Sequence, residues 1–348
     1  MRMRPPWRWP AWKPVERTGF SRGISSAIGS KPRVVSAGFP RFGCGRHKQI
    51  LGATTVGSIA ARVFHEGAEG RIAAVFKQSF YVDHAGSWIC VVRPGFGNGP
   101  INVVLEGSAG LAWPRDIKLG NSVRLDNTGL RIGDRFRVSI ESARRWRPPP
   151  VPQSCPASRS QGLAALAAAV RGRIPRQGLG VFLTSLQPTD KAPIEVIKAA
   201  PSVRALCGWL SSSPSSAFAC PAPSTLLGLG PGLTPSGDDF LGGALIALFR
   251  IGREDLAHRL YRQIQPDLAQ RTGPVSRAFI AAAACGEGLE SLHAALDAVL
   301  MGESESMGQK LGGIDRIGHC SGWDALAGAV TVLRCTPGFE SEPQAALG

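Results

Sequence analysis

Residues 146–156 read Trp-Arg-Pro-Pro-Pro-Val-Pro-Gln-Ser-Cys-Pro. Each proline fixes its own φ and lacks an N–H, so neither a central strand nor a helix interior can run through this stretch; it reads as a stiff, extended linker. The chain must fold separately on the two sides of it. The apolar period changes there as well, from about 2 before the linker to about 3.6 after it.

Before the linker, short strands are expected over Arg71 to Val82, Ser87 to Val92, Ile101 to Leu105, Ser122 to Leu125 and Phe136 to Ile140, with turns at His84-Ala85-Gly86, Asp126-Asn127-Thr128-Gly129 and Gly133-Asp134. After it, helices are expected over Leu163 to Arg171, Ile194 to Ala200, Arg204 to Leu210, Asp238 to Phe249, Asp255 to Ile264, Val275 to Ala284, Leu289 to Leu300 and Trp323 to Leu333. A Ser/Pro/Ala-rich interruption, Ser211 to Ser224, reads as a surface loop. The expected fold is α+β: a small β-rich, barrel-like domain over 49–146, the linker over 147–160, a helical domain over 161–335 and a flexible tail over 336–348. The full length of 348 residues with 43% hydrophobic content supports two such cores.

The net charge of +15 suggests a nucleic-acid partner until its distribution is read. Residues 1–50 hold eleven Lys and Arg against Glu16 alone, which accounts for +10 and leaves +5 for the rest. The segment 1–48 has no helical or strand period and reads as a disordered basic extension, so no nucleic-acid role is expected of the folded domains. The longest apolar runs, Leu163 to Val170 and Ala244 to Phe249, are far shorter than the roughly 20 residues of a membrane span. No signal-peptide apolar stretch follows the first arginines, and the eight cysteines show no zinc spacing, so reduced thiols in the cytoplasm are expected.

The informative stretch is Gly228-Leu229-Gly230-Pro231-Gly232-Leu233-Thr234-Pro235-Ser236-Gly237-Asp238-Asp239-Phe240-Leu241-Gly242-Gly243. Part of it returns 85 residues later: Ser236 to Ala244 and Ser321 to Ala329 share S-G-x-D-x-L-x-G-A. One reading is that each Ser and Asp caps its own helix while the later glycines let helices pack closely. The other is that the two helix starts converge, their N–H groups and dipoles forming a site for a small anion that Gly237 and Gly322 leave accessible. Between the copies, Arg271 and Thr272 precede Pro274, which can open a helix; Arg271 is the candidate cationic ligand. His319, just ahead of the second copy, lies where a helix N-terminus would lower its pKa, and is a candidate acid or base. In the β domain, Arg93-Pro94-Gly95-Phe96-Gly97-Asn98-Gly99-Pro100 forms either a concave nest of N–H groups or a bulged hairpin.

On the segments at 228–243, 271–287, 317–328 and, more loosely, 97–106, the chain resembles the family of the AllH subunit of oxamate carbamoyltransferase. The resemblance spans roughly residues 50–335. It implies a subunit that works with two larger partners in fermentative purine or allantoin breakdown, where oxalurate and phosphate interconvert with oxamate and carbamoyl phosphate. The rival expectation is a non-catalytic assembly or regulatory subunit whose partners do the chemistry.

Carbamoyl phosphate and oxamate are small anions that also carry an amide. The binding set expected for them is Gly230, Gly232, Thr234, Ser236, Gly237, Arg271, Thr272, Ser321, Gly322 and Asn98, with His319, Asp239 and Asp324 as the catalytic candidates. Asp238 or Asp239 either accepts hydrogen bonds from the amide or, because adjacent carboxylates repel a phosphate, holds Mg²⁺ against it.

Overall fold

The computed structural model describes residues 49–107, 113, 117–189, 191–212 and 220–337. The expected extension over 1–48 and all but the first two residues of the expected tail lie outside the described residues.

The β region runs β1 (Gln49–Gly57), β2 (Ala68–Val75), β3 (Ser79–His84), β4 (Ser87–Val92), β5 (Asn102–Leu105), β6 (Ser122–Asp126), β7 (Gly129–Ile132), β8 (Phe136–Ser139) and β9 (Arg144–Trp146). Its strand order is β5-β4-β3-β2-β6-β7-β8-β1-β9, and β1 pairs back onto β5, so eight strands close into a barrel with β9 added at the end. Closure depends on β1. Its first half pairs with β8, Gln49 opposite Phe136, and an irregularity between Ala53 and Thr55 turns its second half onto β9, while β5 holds its other edge.

The expected run Arg71 to Val82 is two strands, β2 and β3, joined by a turn in which the Phe76 N–H bonds to the Ser79 carbonyl. A period of 2 continues through a tight turn without a break, so the pattern hid it.

Alternation sets what each face of the barrel meets. Phe80, Val82, Ile89 and Val91 point into the barrel core. Trp88, Cys90 and Val92 point outward with Tyr81 and pack against Val275 and Phe279 of the helical region. β4 is therefore apolar on both faces, and its outer face forms one wall of a cavity.

The helices are α1 (Pro156–Ala169), α2 (Ile194–Ser211), α3 (Ser236–Arg250), α4 (Glu254–Ile264), α5 (Leu268–Arg271), α6 (Pro274–Ala283), α7 (Glu290–Met301), α8 (Met307–Ile314) and α9 (Ser321–Cys335). The linker ends earlier than expected, because its last proline is the first residue of α1 and Cys155 caps that helix in a box with Ser158. Arg250, 3% exposed, donates from Nη1 to the Pro149 carbonyl at 2.8 Å and pairs with Asp297, tying the linker to α3 and α7.

The two helices expected on either side of Pro201 are one helix, α2. An interior proline costs about 3 kcal/mol, but burial of Ala199, Ala200, Val203 and Leu206 on that face is lost if the helix stops.

The centre of the helical region is the crossing of α3 and α9, and it is reciprocal. A methyl built on Gly243 would overlap the Ala325 carbonyl oxygen, and one built on Gly328 would overlap that of Phe240. Each pair is the other shifted by 85 residues. The loops ahead of the two helices also correspond. Leu229 N–H bonds to Leu226 and Ile317 N–H to Ile314, and a methyl on Gly237 or Gly322 would strike the Leu226 or Ile314 carbonyl. The sequence repeat is thus a repeat of structure, with the two copies interlocked.

Candidate functional site

The two S-G-x-D helix starts open on one cavity of about 890 Å³ between the outer face of β3–β4 and the helices α3, α6 and α9. From the helical side, Gly232, Thr234, Ser236, Asp238, Asp239, His319 and Ser321 line it; from the barrel, Ser79, Tyr81, Cys90 and Asn102 do.

Simple capping does not account for the repeat. The N-cap positions are Pro235 and Cys320, and neither carries a side-chain capping bond, so Ser236 and Ser321 are the first helical residues. Their hydroxyls reach across the crossing. The Thr234 and Ser321 hydroxyls lie 3.1 Å apart, and both face the Asp239 carboxyl. In the mirrored arrangement, Ser236 and Cys320 face Asp324.

The two carboxyls differ in surroundings. Asp239 is half-buried, but its Oδ2 is closed to solvent and has no well-directed donor. Burial pushes its pKa well above the usual carboxylate range, the Ser321 and Thr234 hydroxyls oppose this, and the nearby Asp324 and Asp238 charges add to it. Asp324 is fully buried and lies behind the lining. Its Oδ1 accepts the Leu179 N–H, with Gly178 packed against the carboxyl, and burial pushes its pKa up to about 6.

Asp238 is turned to a different task. Oδ1 accepts the Gly228 N–H at 2.8 Å, and Oδ2 accepts the hydroxyls of Ser276, at 2.6 Å, and of Thr272. It fastens the glycine loop and the α5–α6 turn to α3. With both its oxygens engaged, Asp238 leaves Asp239 among hydroxyls, and among the described residues no three His, Cys, Asp or Glu side chains cluster as a metal site.

The other expected ligands divide. His319 lines the cavity and is exposed at its mouth. Arg271 is exposed and lies off the lining; what it gives the site is its backbone carbonyl, packed on Gly228. Lys77 and Arg316 are the cations at the cavity wall. Arg316 sits three residues from His319, within the loop that precedes the second copy, and could have been weighed there; Lys77 lies in the β2–β3 turn that the strand pattern concealed.

Gly237 and Gly322 do not open the helix starts to a ligand. Their N–H groups bond to the Leu229 and Ile317 carbonyls, and their missing side chains make room for the chain's own backbone. Gly230, with φ of 110°, packs behind Ser236 for a similar reason.

Asn98 joins the barrel to α7. Its Oδ1 accepts the Thr55 hydroxyl, its Nδ2 donates to Glu290 at 2.9 Å, and its carbonyl accepts the Glu290 N–H. The glycine-rich loop thus grips the start of α7 and leaves Asn98 off the cavity lining.

The barrel wall brings groups that the sequence did not single out. Tyr81, Cys90 and Ser79 are hydrogen-bonded neighbours facing the Asp239 side, and burial raises the Tyr81 hydroxyl pKa and holds the Cys90 thiol at about 12. They are neutral donors and acceptors opposite a carboxyl that is itself biased toward neutrality. Such a site can hold a group that both donates and accepts, as an amide or ureido group does.

Two family models match the chain: oxamate carbamoyltransferase subunit AllH over residues 226–333, and the AllH family N-terminal domain over residues 52–145. The first covers the crossed helices and the second the barrel, so the cavity lies between the two matched regions. No curated protein and no solved structure matches the chain.

Proposed function

The chain belongs to the AllH family of oxamate carbamoyltransferase subunits, and from that premise we propose that its cavity binds the carbamoyl-bearing anion and takes part in the transfer, together with partner subunits in the cytoplasm. The observation that carries this reading is the convergence of both S-G-x-D helix starts on one cavity, with the Asp239 carboxyl between Thr234 and Ser321.

In the direction of ureido-acid breakdown, a phosphate oxygen bonds to the carbamoyl carbon, the carbon–nitrogen bond breaks, and the departing amide nitrogen takes up a proton. Asp239, biased toward its acid form by burial, is the proton donor. In that form it also avoids the repulsion that a carboxylate would exert on an anionic substrate. Ser321 and Thr234 hold the amide end through hydrogen bonds, while Lys77 and Arg316 attract the phosphate and carboxylate at the mouth, where His319 can donate a hydrogen bond. Asp324 orients the Ser236 hydroxyl from behind the wall.

The test is phosphate-dependent oxalurate breakdown by the chain reconstituted with its partner subunits. Ser321→Ala and Arg316→Ala should each lower kcat/KM by about 10-fold or more, as expected for the loss of a charged or charge-assisted hydrogen bond. If both variants retain full activity in the complex, the cavity is not the reaction site and the chain serves assembly.

A further inference from the structure

The cavity is longer and more apolar than a small anion requires. Along α3 the residues that line it are Ser236, Asp238, Asp239, Gly242, Gly243 and Ile246, polar for the first turn and apolar beyond. Asp239 and Ile246 are seven residues apart, so the apolar part extends about 10 Å past the carboxyl. Phe279 and Ala283 of α6 also line it. At about 890 Å³ the cavity lies near the top of the roughly 300–1,000 Å³ range of drug-sized ligand sites, more than small anions of the carbamoyl phosphate and oxamate type need.

Gly242 indicates that the space is kept open by the sequence. Its neighbour Gly243 must be glycine, because a methyl there would strike the Ala325 backbone; a methyl on Gly242 would meet only the Ala283 side chain, at 3.9 Å. A glycine in a helix interior costs about 1 kcal/mol relative to alanine, and neither a backbone approach nor a φ value requires one at this position. In the second copy the equivalent position is Ala327, fully buried in the packed core. The repeat departs from itself at the point where a side chain would project into the cavity.

We propose that this arm receives an apolar substituent of the ligand, so that the site also takes N-carbamoyl amino acids with a bulky, aromatic-sized side chain, their ureido group at Asp239. The inference rests on the carbamoyl-binding reading above and adds the class of substituent. The arm ends near Gly288 and Glu287, whose carboxylate accepts the Ser58 hydroxyl.

The experiment compares N-carbamoylphenylalanine with N-carbamoylglycine by calorimetric titration into the full chain, alone and with its partner subunits. Burial of a benzyl group predicts binding about 10- to 100-fold tighter for the phenylalanine derivative. Gly242→Leu should bring that ratio close to one, and Gly242→Ala, a single methyl, should lower it partway; both should melt no lower than the parent chain, since each replaces a helical glycine. Equal binding of the two ureido acids by the parent chain, or a ratio left unchanged by Gly242→Leu, overturns the inference while leaving the carbamoyl-binding reading intact. If neither ureido acid binds in either setting, both fall together.

Discussion

The starts of α3 and α9 follow one pattern, S-G-x-D-x-L-x-G-A, yet their carboxyls have different surroundings. Asp239 lines the cavity with the Thr234 and Ser321 hydroxyls around it, whereas Asp324 lies off the lining, sealed by Gly178 and capped by the Leu179 N–H, although each carboxyl keeps one oxygen without a directed donor. The segment that seals Asp324 comes from 178–183, far from either copy in sequence. Equivalent residues therefore produce equivalent backbone, and a third element decides which carboxyl can meet a ligand.

The largest effect expected is one that breaks the equivalence of the backbones. Gly328→Ala places a methyl onto the Phe240 carbonyl at the closest point of the crossing. The helices must separate, and the loss should exceed about 4 kcal/mol, read by urea unfolding or by failure to obtain soluble protein. A loss below about 1 kcal/mol would mean that the crossing is slack.

Asp239→Asn tests the open copy. The amide keeps the shape and loses the proton, so kcat/KM for oxalurate breakdown in the complex should fall about 100-fold or more while the melting temperature moves by only a few degrees. The opposite pattern, stability lost and activity kept, would make Asp239 a framework group like Asp324.

Asp324→Asn tests the sealed copy through pH. A carboxyl whose pKa rises from about 3.9 unfolded to about 6 folded stabilises the fold most below about pH 4, and that contribution is lost as pH rises through about 6. The swing is about 3 kcal/mol. The difference in unfolding free energy between the parent chain and Asp324→Asn should follow that curve; a flat difference between pH 4 and 7 would show that Asp324 ionises without penalty.

The smallest effect expected is that of Arg271→Lys. The side chain is exposed and off the cavity lining, so KM for phosphate should change less than about 2-fold; a larger rise would return Arg271 to the anion site.

Much of this arrangement was legible in the chain itself. The proline run marked the passage from barrel to helices, and the repeat marked the two helix starts, because both depend on local residue chemistry. Pro156 and Pro201 show where local reading ends. One proline opens a helix and the other sits inside one, and the apolar face of α2 decides the second case. Arg271 and Arg316 make the same point for the site: each stands in a loop near a helix start, and only the packing of α8 and α9 places Arg316 at the cavity. Tyr81 and Cys90 were hidden for another reason. On a strand that is apolar on both faces, alternation does not tell the barrel core from the outer wall.

The matched glycines Gly243 and Gly328, each seated on the other copy's carbonyl, have the form of an isologous contact, in which one surface meets itself. Two separate chains that met in this way would be bound by their symmetry to carry two identical pockets, and a substitution made in one would appear in both. Covalent linkage of the halves removes that constraint. Gly242 can differ from Ala327, and Asp238 from Trp323, so a single molecule can keep one carboxyl for a ligand and the other for its own framework.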